Sequence, residues 1–500
     1  MSKIITPILF FLLFWISTSN AQVCATPGFD GSSPVGGQVN TYYPPTANTT
    51  LAPGANTVIL AAVPADVSFG GGTNTYKPFV NGVQEHIKPG DLLLIIQMQD
   101  ATINSSNSSL YGDGTGTSGL DGLGGTGYTS LGNTGLFEYV VATNDVPLTG
   151  GTLTFRGAGV GGGVVNTYNN QDFNPLSTTQ GQRTFQVVRV PQYSNVKLIS
   201  NIAAPPFNGQ VGGIIAFDVA GTMNFNGKTI DSSARGFRGG FTYKNAQNVD
   251  NYTGYYVQIS NDTPTNTKTT GKGESVVGSP RNMWDGFVQV INNVEGMPIG
   301  ANGRGAPGNG GGGGNQSNAG GGGGGNGGYG GVGGNGYEGQ TQNYPNGGRP
   351  GSITYPTGGK PNPARLIMGG GGGAGEVNDA ALGANGGVGG GIILLNVGSI
   401  TGSGTLTTNG ADGQSTLNDG AAGGGGRPAD RTHVARRGLE RGPAAALRGA
   451  DRGLWHRLLR LSRDAAASGR ARRREGRAAK ADRGLRRGRP VADGHHPAPR

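Results

Sequence analysis

The sequence predicts an all-β protein: solenoid-like or sandwich strands, with a polyglycine-rich region set between them for which extended polyglycine helices are the ordered form. Three observations carry that expectation. Every clear element before Gln210 is a strand-length apolar or alternating run bounded by Gly, Pro or Asn. Two later stretches repeat one another. Glycine accounts for 101 of the 500 residues and the hydrophobic fraction is only 34%, so a conventional core through the whole chain is excluded, because glycine has no side chain to bury and loses the most backbone entropy on ordering.

Taken in order, Lys3 followed by the apolar run Ile4–Ile16 and by small residues at Ser19 and Ala21 reads as a signal peptide over 1–21, with cleavage after Ala21. The run is shorter than the ~20 residues of a spanning helix, so the mature chain is expected to lack a transmembrane segment. Cys24 is the single cysteine; an exported chain then has no internal disulfide to rely on. Val23 stands where a lipoprotein signal wants a small residue, which makes Cys24 a lone thiol near a terminus.

Residues 22–60, rich in Pro, Thr, Asn and Gly (TYYPPTANTTLAPGANT), read as an extended lead-in. A β module is expected over 61–210. Its clearest strand is Leu92–Met98, which follows the Pro89-Gly90 turn and is apolar throughout, as a strand buried on both faces is. Further strands are expected at 136–143, 151–156, 185–190 and 196–199, with a Gly/Ser/Thr loop over 104–134.

A glycine-rich β region with an internal repeat is expected over 211–426. GGIIAFDVAGTMNFNGKTIDSSARG from Gly212 and GGIILLNVGSITGSGTLTTNGADG from Gly390 align with one gap, placing Ile215, Phe217 and Val219 opposite Ile393, Leu395 and Val397. Asp218 and Asn396 then occupy equivalent positions on the other face, expected to be solvated. A strand, a tight turn and a second short strand describe one rung of a solenoid, which hides its apolar face by stacking on the next. TGGTLTFRGAG from Thr149 reads as a third, partial copy.

Between the two copies, 301–336 holds 21 glycines and a second run starts at Met368. Two readings apply, a flexible linker or a bundle of extended helices with ~3 residues per turn. Interruption by Asn and aromatic residues, and the matched strands on either side, favour the ordered one.

The formal charge of +10 is local in origin. After Gly426 there are 20 Arg and 1 Lys against 7 acidic residues, whereas 1–426 holds 18 basic and 22 acidic residues. The tail 427–500 contains no Asn, Gln, Ile, Tyr, Phe, Met or Cys; this change of alphabet reads as a frameshifted or chimeric, low-complexity segment. A basic arm with a short amphipathic helix at 454–461 is the alternative. Without aromatic interleaving for base stacking, no nucleic-acid partner is expected.

IKPGDLLLIIQMQDA, TFQVVRVPQY, GGIIAFDVAGTMNFNGKTID with GFRGG, KGESVVGSPRNMW, GRGAPGNGGGGGNQSN and RLIMGGGGGAG occur in this order. Over roughly 60–426 the chain thereby resembles the N-terminal region of large, uncharacterised, glycine-rich surface proteins of bacteria, which often continue into immunoglobulin-like repeats. The resemblance implies secretion and cell-surface display and supplies no catalytic residue. The glycine-rich part also resembles, in composition, the glycine-rich domain of certain receptor tyrosine kinases.

Chemistry is sparse. His86 is the only histidine before the tail, it precedes a turn, and no Gly-x-Ser-x-Gly elbow accompanies it. One His and one Cys cannot make a zinc site, and glycine is so frequent that a Gly-x-Gly-x-x-Gly match carries no weight. Asp113, Asp121, Asp412 and Asp419 lie in Gly-rich turns but fit no calcium-loop pattern. No catalytic residue, metal ligand or cofactor is therefore assigned. The expectation is a non-catalytic structural or adhesive module with a glycan or cell-surface protein as partner, Tyr329, Tyr337 and Tyr344 being candidate contacts. A polysaccharide-active enzyme using paired carboxylates on a solenoid face is the alternative.

Overall fold

The computed structural model describes residues 25–64, 84–112, 124–242, 254–256, 270–291, 295–315, 318–338, 341–344, 346–354, 365–377, 384–415, 420–426 and 433–435. The expected signal peptide, Cys24 and all of the tail except 433–435 lie outside them.

Strands dominate, as the all-β expectation requires. Thirteen of them build two sheets: β1 (Gly31–Gly37), β2 (Thr41–Tyr43), β3 (Thr57–Leu60), β4 (Leu92–Gln99), β5 (Phe137–Ala142), β6 (Gly151–Arg156), β7 (Thr184–Val190), β8 (Gln192–Ala203), β9 (Ile214–Asn224), β10 (Thr229–Asp231), β11 (Ile392–Thr401), β12 (Thr405–Thr407) and β13 (His433–Ala435). An antiparallel sheet runs β2-β7-β4-β5-β6-β3. A parallel sheet runs β12-β10-β8-β9-β11-β13, with β1 also paired to β8.

The period of two along each strand explains how these sheets pack. Leu92, Leu94 and Ile96 of β4 and Val188 and Val190 of β7 share one apolar core with Ile214 and Ala216 of β9 and Ile392 and Leu394 of β11. That core holds the two sheets face to face. The alternate residues Leu93, Ile95, Phe185 and Val187 enter a second core with Leu153 and Tyr168. Ile215, Phe217, Val219, Ile393, Leu395 and Val397 enter a third, on the far side of the parallel sheet. Strand β4 is buried along its whole length for this reason, which is why its sequence is apolar rather than alternating.

The repeat is a stacked pair of rungs in the expected register. Ile215, Phe217, Asp218 and Val219 lie beside Ile393, Leu395, Asn396 and Val397, and the gap in the alignment falls at the irregularity between Val219 and Thr222. After the turn, Thr229, Ile230 and Asp231 lie beside Thr405, Leu406 and Thr407. Solenoid-like rungs and a sandwich, alternatives in the sequence, are combined here: the stacked rungs form one layer of the sandwich.

Four expectations need correction. Asp218 is not solvated: it is 3% exposed and accepts a hydrogen bond from Nδ2 of Asn396, because its face of β9 meets the antiparallel sheet. The stretch from Thr149 is no rung, since β6 pairs antiparallel with β3 and β5. The lead-in 22–60 contains β1, β2 and β3, which belong to the sheets. The division at 210/211 falls between β8 and β9, neighbours in one sheet, so no domain boundary lies there. Of the tail, 433–435 adds an edge strand to β11.

The chain between the rungs forms a bundle of extended segments joined by backbone hydrogen bonds with a period of three. Amides of Gly311, Gly312 and Gly313 donate in turn to carbonyls of Gly371 (2.8 Å), Arg349 (2.9 Å) and Gly303 (2.9 Å). Gly314 and Asn315 return to the first two neighbours, at Ala374 (2.9 Å) and Asn346 (3.0 Å). In 319–326, Gly320, Gly321 and Gly322 donate to Gly334, Ala421 and Gly312, and Gly323, Gly324 and Gly325 repeat the cycle at Gly331, Gly424 and Asn309. Bonding to a new neighbour at each residue, and to the same one three residues on, is the geometry of the threefold extended helix. The ordered reading of 301–336 holds for its described residues.

Glycine is required by approach distance. A methyl added at Gly312 would overlap the carbonyl of Arg304, and one at Gly373 the carbonyl of Gly312. Neither glycine has a positive φ, so the demand is for space between backbones.

Candidate functional site

Among the described residues, the chemistry singled out in the sequence is not brought together. His86 is half exposed at a turn, its Nε2 3.9 Å from Oδ1 of exposed Asp145. Asp412 is exposed, while Asp113, Asp121 and Asp419 lie outside the described residues. Among the described residues, no group of three or more His, Cys, Asp or Glu is placed to hold a metal ion, and no helix is long and apolar enough to cross a membrane.

The charged groups that the fold does gather were not found by sequence reasoning, and they act as fasteners. Arg189 on β7 reaches across to the turn before β4, giving Nε to Asp91 Oδ2 (2.9 Å) and Nη2 to Asp91 Oδ1 (3.0 Å). Its Nη2 also meets Asp30 (2.8 Å) and Glu85 (3.1 Å). Burial alone would disfavour the guanidinium charge, but the hydrogen bonds and charge of Asp91, joined by Asp30 and Glu85, outweigh it and raise the Arg189 pKa.

Arg238 and Glu274 tie two bundle segments together by Nε–Oε2 (2.9 Å) and Nη2–Oε1 (2.8 Å) bonds, and the Arg238 amide adds a third (2.9 Å). Ser279 donates its hydroxyl to Glu274 Oε1. Such a pair is a poor source of net stability, yet removing one partner strands a buried charge at a cost of about 3–5 kcal/mol. The available signal was a charge inside a glycine motif, as in GFRGG and KGES.

A third cluster surrounds Lys272. Its Nζ donates to the Tyr255 carbonyl (2.8 Å) and lies 3.8 Å from the Tyr111 ring centroid. Burial pushes the Lys272 pKa well down, opposed by the charge of Glu295. Burial raises the Glu295 carboxyl to about 7, against backbone hydrogen bonds and the charge of Arg281. Lys272 is covered by the bundle and by Tyr111, which places it in the framework.

One accessible feature is a groove of about 530 Å³ on the bundle, walled by 328–334 on one side and 421–425 on the other, with Gly321, Gly323 and Gly324 as its floor. Tyr329 lines it, half-buried. Tyr337 and Tyr344 lie on paired strands, Gly336–Glu338 and Thr341–Tyr344, and their side chains are outside the described residues. Sequence reasoning singled out Tyr329 but not the groove, which exists only because segments distant in sequence lie side by side.

The fold and this surface define an all-β protein with a polyglycine-helix bundle that carries a groove lined mainly by glycine. No family model, curated protein or solved structure matches the chain.

Proposed function

We propose that this protein is a secreted, non-catalytic structural or adhesive module displayed at a bacterial cell surface, with a glycan or a cell-surface protein as its partner. The observation that carries this reading is the use made of the charged groups: four of the acids that the fold gathers, Asp30, Glu85, Asp91 and Glu274, are engaged by arginine within a framework. These four contribute rigidity, and the groove is lined mainly by glycine backbone, with Tyr329 and Val332. Support for export comes from the N-terminal sequence, and support for surface display from the ordered motifs quoted above.

The test has two arms. The chain is expressed in a bacterium, and the protein released or displayed outside the cell is sequenced from its N-terminus; the expected first residue is Gln22. Cells displaying the chain are then compared with cells lacking it for retention on glycan-coated and protein-coated surfaces. An uncleaved chain held inside the cell, or display with no gain in retention on any surface, overturns the proposal.

A further inference from the structure

The groove has a specific place in the bundle. Among the described residues, segment 319–326 has five bonded neighbours: 309–315, 330–334, 346–352, 365–377 and 420–426. It donates to 330–334, 420–426 and 309–315, and it accepts from Gly348 and Gly351 on one side and from Gly370 and Gly373 on another. Around it, consecutive neighbours are also bonded to each other. Gly330 donates to Gly351 (2.9 Å), Gly312 to Arg349 (2.9 Å), Gly311 to Gly371 (2.8 Å) and Gly423 to Gly373 (3.0 Å). Among the described residues, no backbone bond joins 330–334 to 420–426, and there the groove opens. Among the described residues, five bonded neighbours and one gap describe hexagonal packing with its sixth position open.

The walls differ from the bundle interior in two ways. A methyl added at Gly328, Gly331 or Gly334 meets nothing within 4 Å, and one at Gly424 meets nothing closer than 3.5 Å, whereas at Gly330, Gly333, Gly423 and Gly425, which face a neighbouring segment, it would overlap a carbonyl as in the interior. Among the described residues, the amides of Gly331 and Gly334 on one wall, and of Ala421 and Gly424 on the other, have no backbone acceptor. Within each pair the spacing is three residues, the repeat with which the rest of the bundle is bonded.

We propose that the groove binds an extended, glycine-rich segment of another polypeptide, which enters as the missing sixth helix around 319–326. A chain in the threefold conformation offers carbonyls every third residue, roughly 9 Å apart at ~3.1 Å rise, which matches amides three residues apart on both walls. It must be rich in glycine because the packing distance set elsewhere in the same bundle leaves no room for Cβ atoms. The wall 328–334 accommodates about seven residues. Export is not a premise of this inference, since binding is measured on the purified chain, and failure here leaves the surface-display reading standing.

The experiment titrates the full chain with a capped octapeptide of sequence 319–326, carrying a terminal lysine for solubility, and with a counterpart in which alternate glycines are alanine. Alternate positions place methyls on all three faces of a threefold helix. The expected result is saturable binding of the glycine peptide, weakened at least tenfold by alanine. Gly331→Leu, whose side chain enters open space, should abolish binding with an unchanged melting temperature. Self-association of the chain that Gly331→Leu dissolves also supports the proposal and identifies the segment as one from a second copy. Equal affinity for both peptides overturns it, as does absence of binding by a chain that is monomeric.

Discussion

The sandwich and the polyglycine bundle are held together by opposite means. In the sandwich, strands carry branched and aromatic side chains into three cores, and backbone pairing is confined to the two edges of each strand. In the bundle, side chains are few, and an interior segment such as 319–326 bonds to neighbours on most of its sides. The first arrangement draws on burial of apolar area, at about 1.5–3 kcal/mol for a fully buried large aliphatic or aromatic side chain. The second draws on hydrogen bonds at about 0.5–1.5 kcal/mol each, and it must offset the larger entropy loss of ordering glycine. The difference teaches that cavities should be the weakness of one region and added atoms the weakness of the other.

The largest effect is expected in the sandwich. Phe217→Ala removes a ring that is 1% exposed and packed edge-on against Tyr193, and should cost about 3–5 kcal/mol in urea unfolding. A loss under about 1 kcal/mol would show that the third core is not close-packed. In the bundle, Gly312→Ala adds one methyl against the Arg304 carbonyl. Overpacking costs about 1–3 kcal/mol, and strained bonds to Arg349 and Gly322 add to it, so a loss of about 2–4 kcal/mol is expected. Hydrogen exchange should show amides 311–315 losing protection in this variant, while those of β4 keep it.

A smaller effect comes from Glu295, beside the Lys272 cluster. Its folded pKa, raised to about 7 from 4.5, means that the folded protein holds this proton more tightly than the unfolded chain does. The associated stabilisation is complete below pH 4.5 and is lost as pH rises through about 7. Glu295 as a residue is only half-buried, so solvent screening reduces the effect to about 1–2 kcal/mol. Unfolding free energies measured across pH 4.5–7.5 should fall by that amount, and Glu295→Gln should flatten the profile. The smallest effect has the opposite sign. Gly331→Ala places its methyl in open space, so it removes unfolded-state entropy without strain and should leave stability unchanged or raise it by up to about 1 kcal/mol. If Gly312→Ala and Gly331→Ala proved equally damaging, intrinsic backbone preference rather than packing distance would govern the bundle.

Much of the sandwich was legible because strand periodicity reports which side is buried. The run 92–98 became a strand buried on both faces, and the repeat placed Phe217 beside Leu395. The same periodicity put Asp218 on the opposite face, but it carried no information on what covers that face. The third copy failed because a short alternating strand looks the same in a parallel rung and in an antiparallel sheet. The lead-in was misread because Pro, Thr and Asn mark turns, and β1–β3 are short strands between such turns.

By itself the sequence determined that the chain is all-β, that two of its stretches are equivalent rungs, and that the centre cannot hold a side-chain core. Each of these follows from local pattern: a period of two, a matched order of features, and a lack of side chains. Tertiary structure decided the rest, namely that the glycines form an ordered bundle, that Asp218 is buried, that Arg189 and Arg238 act as fasteners, and that one lattice position is left open. These depend on which distant backbones lie side by side. A glycine carries the same symbol whether its neighbour is a carbonyl in contact or open space.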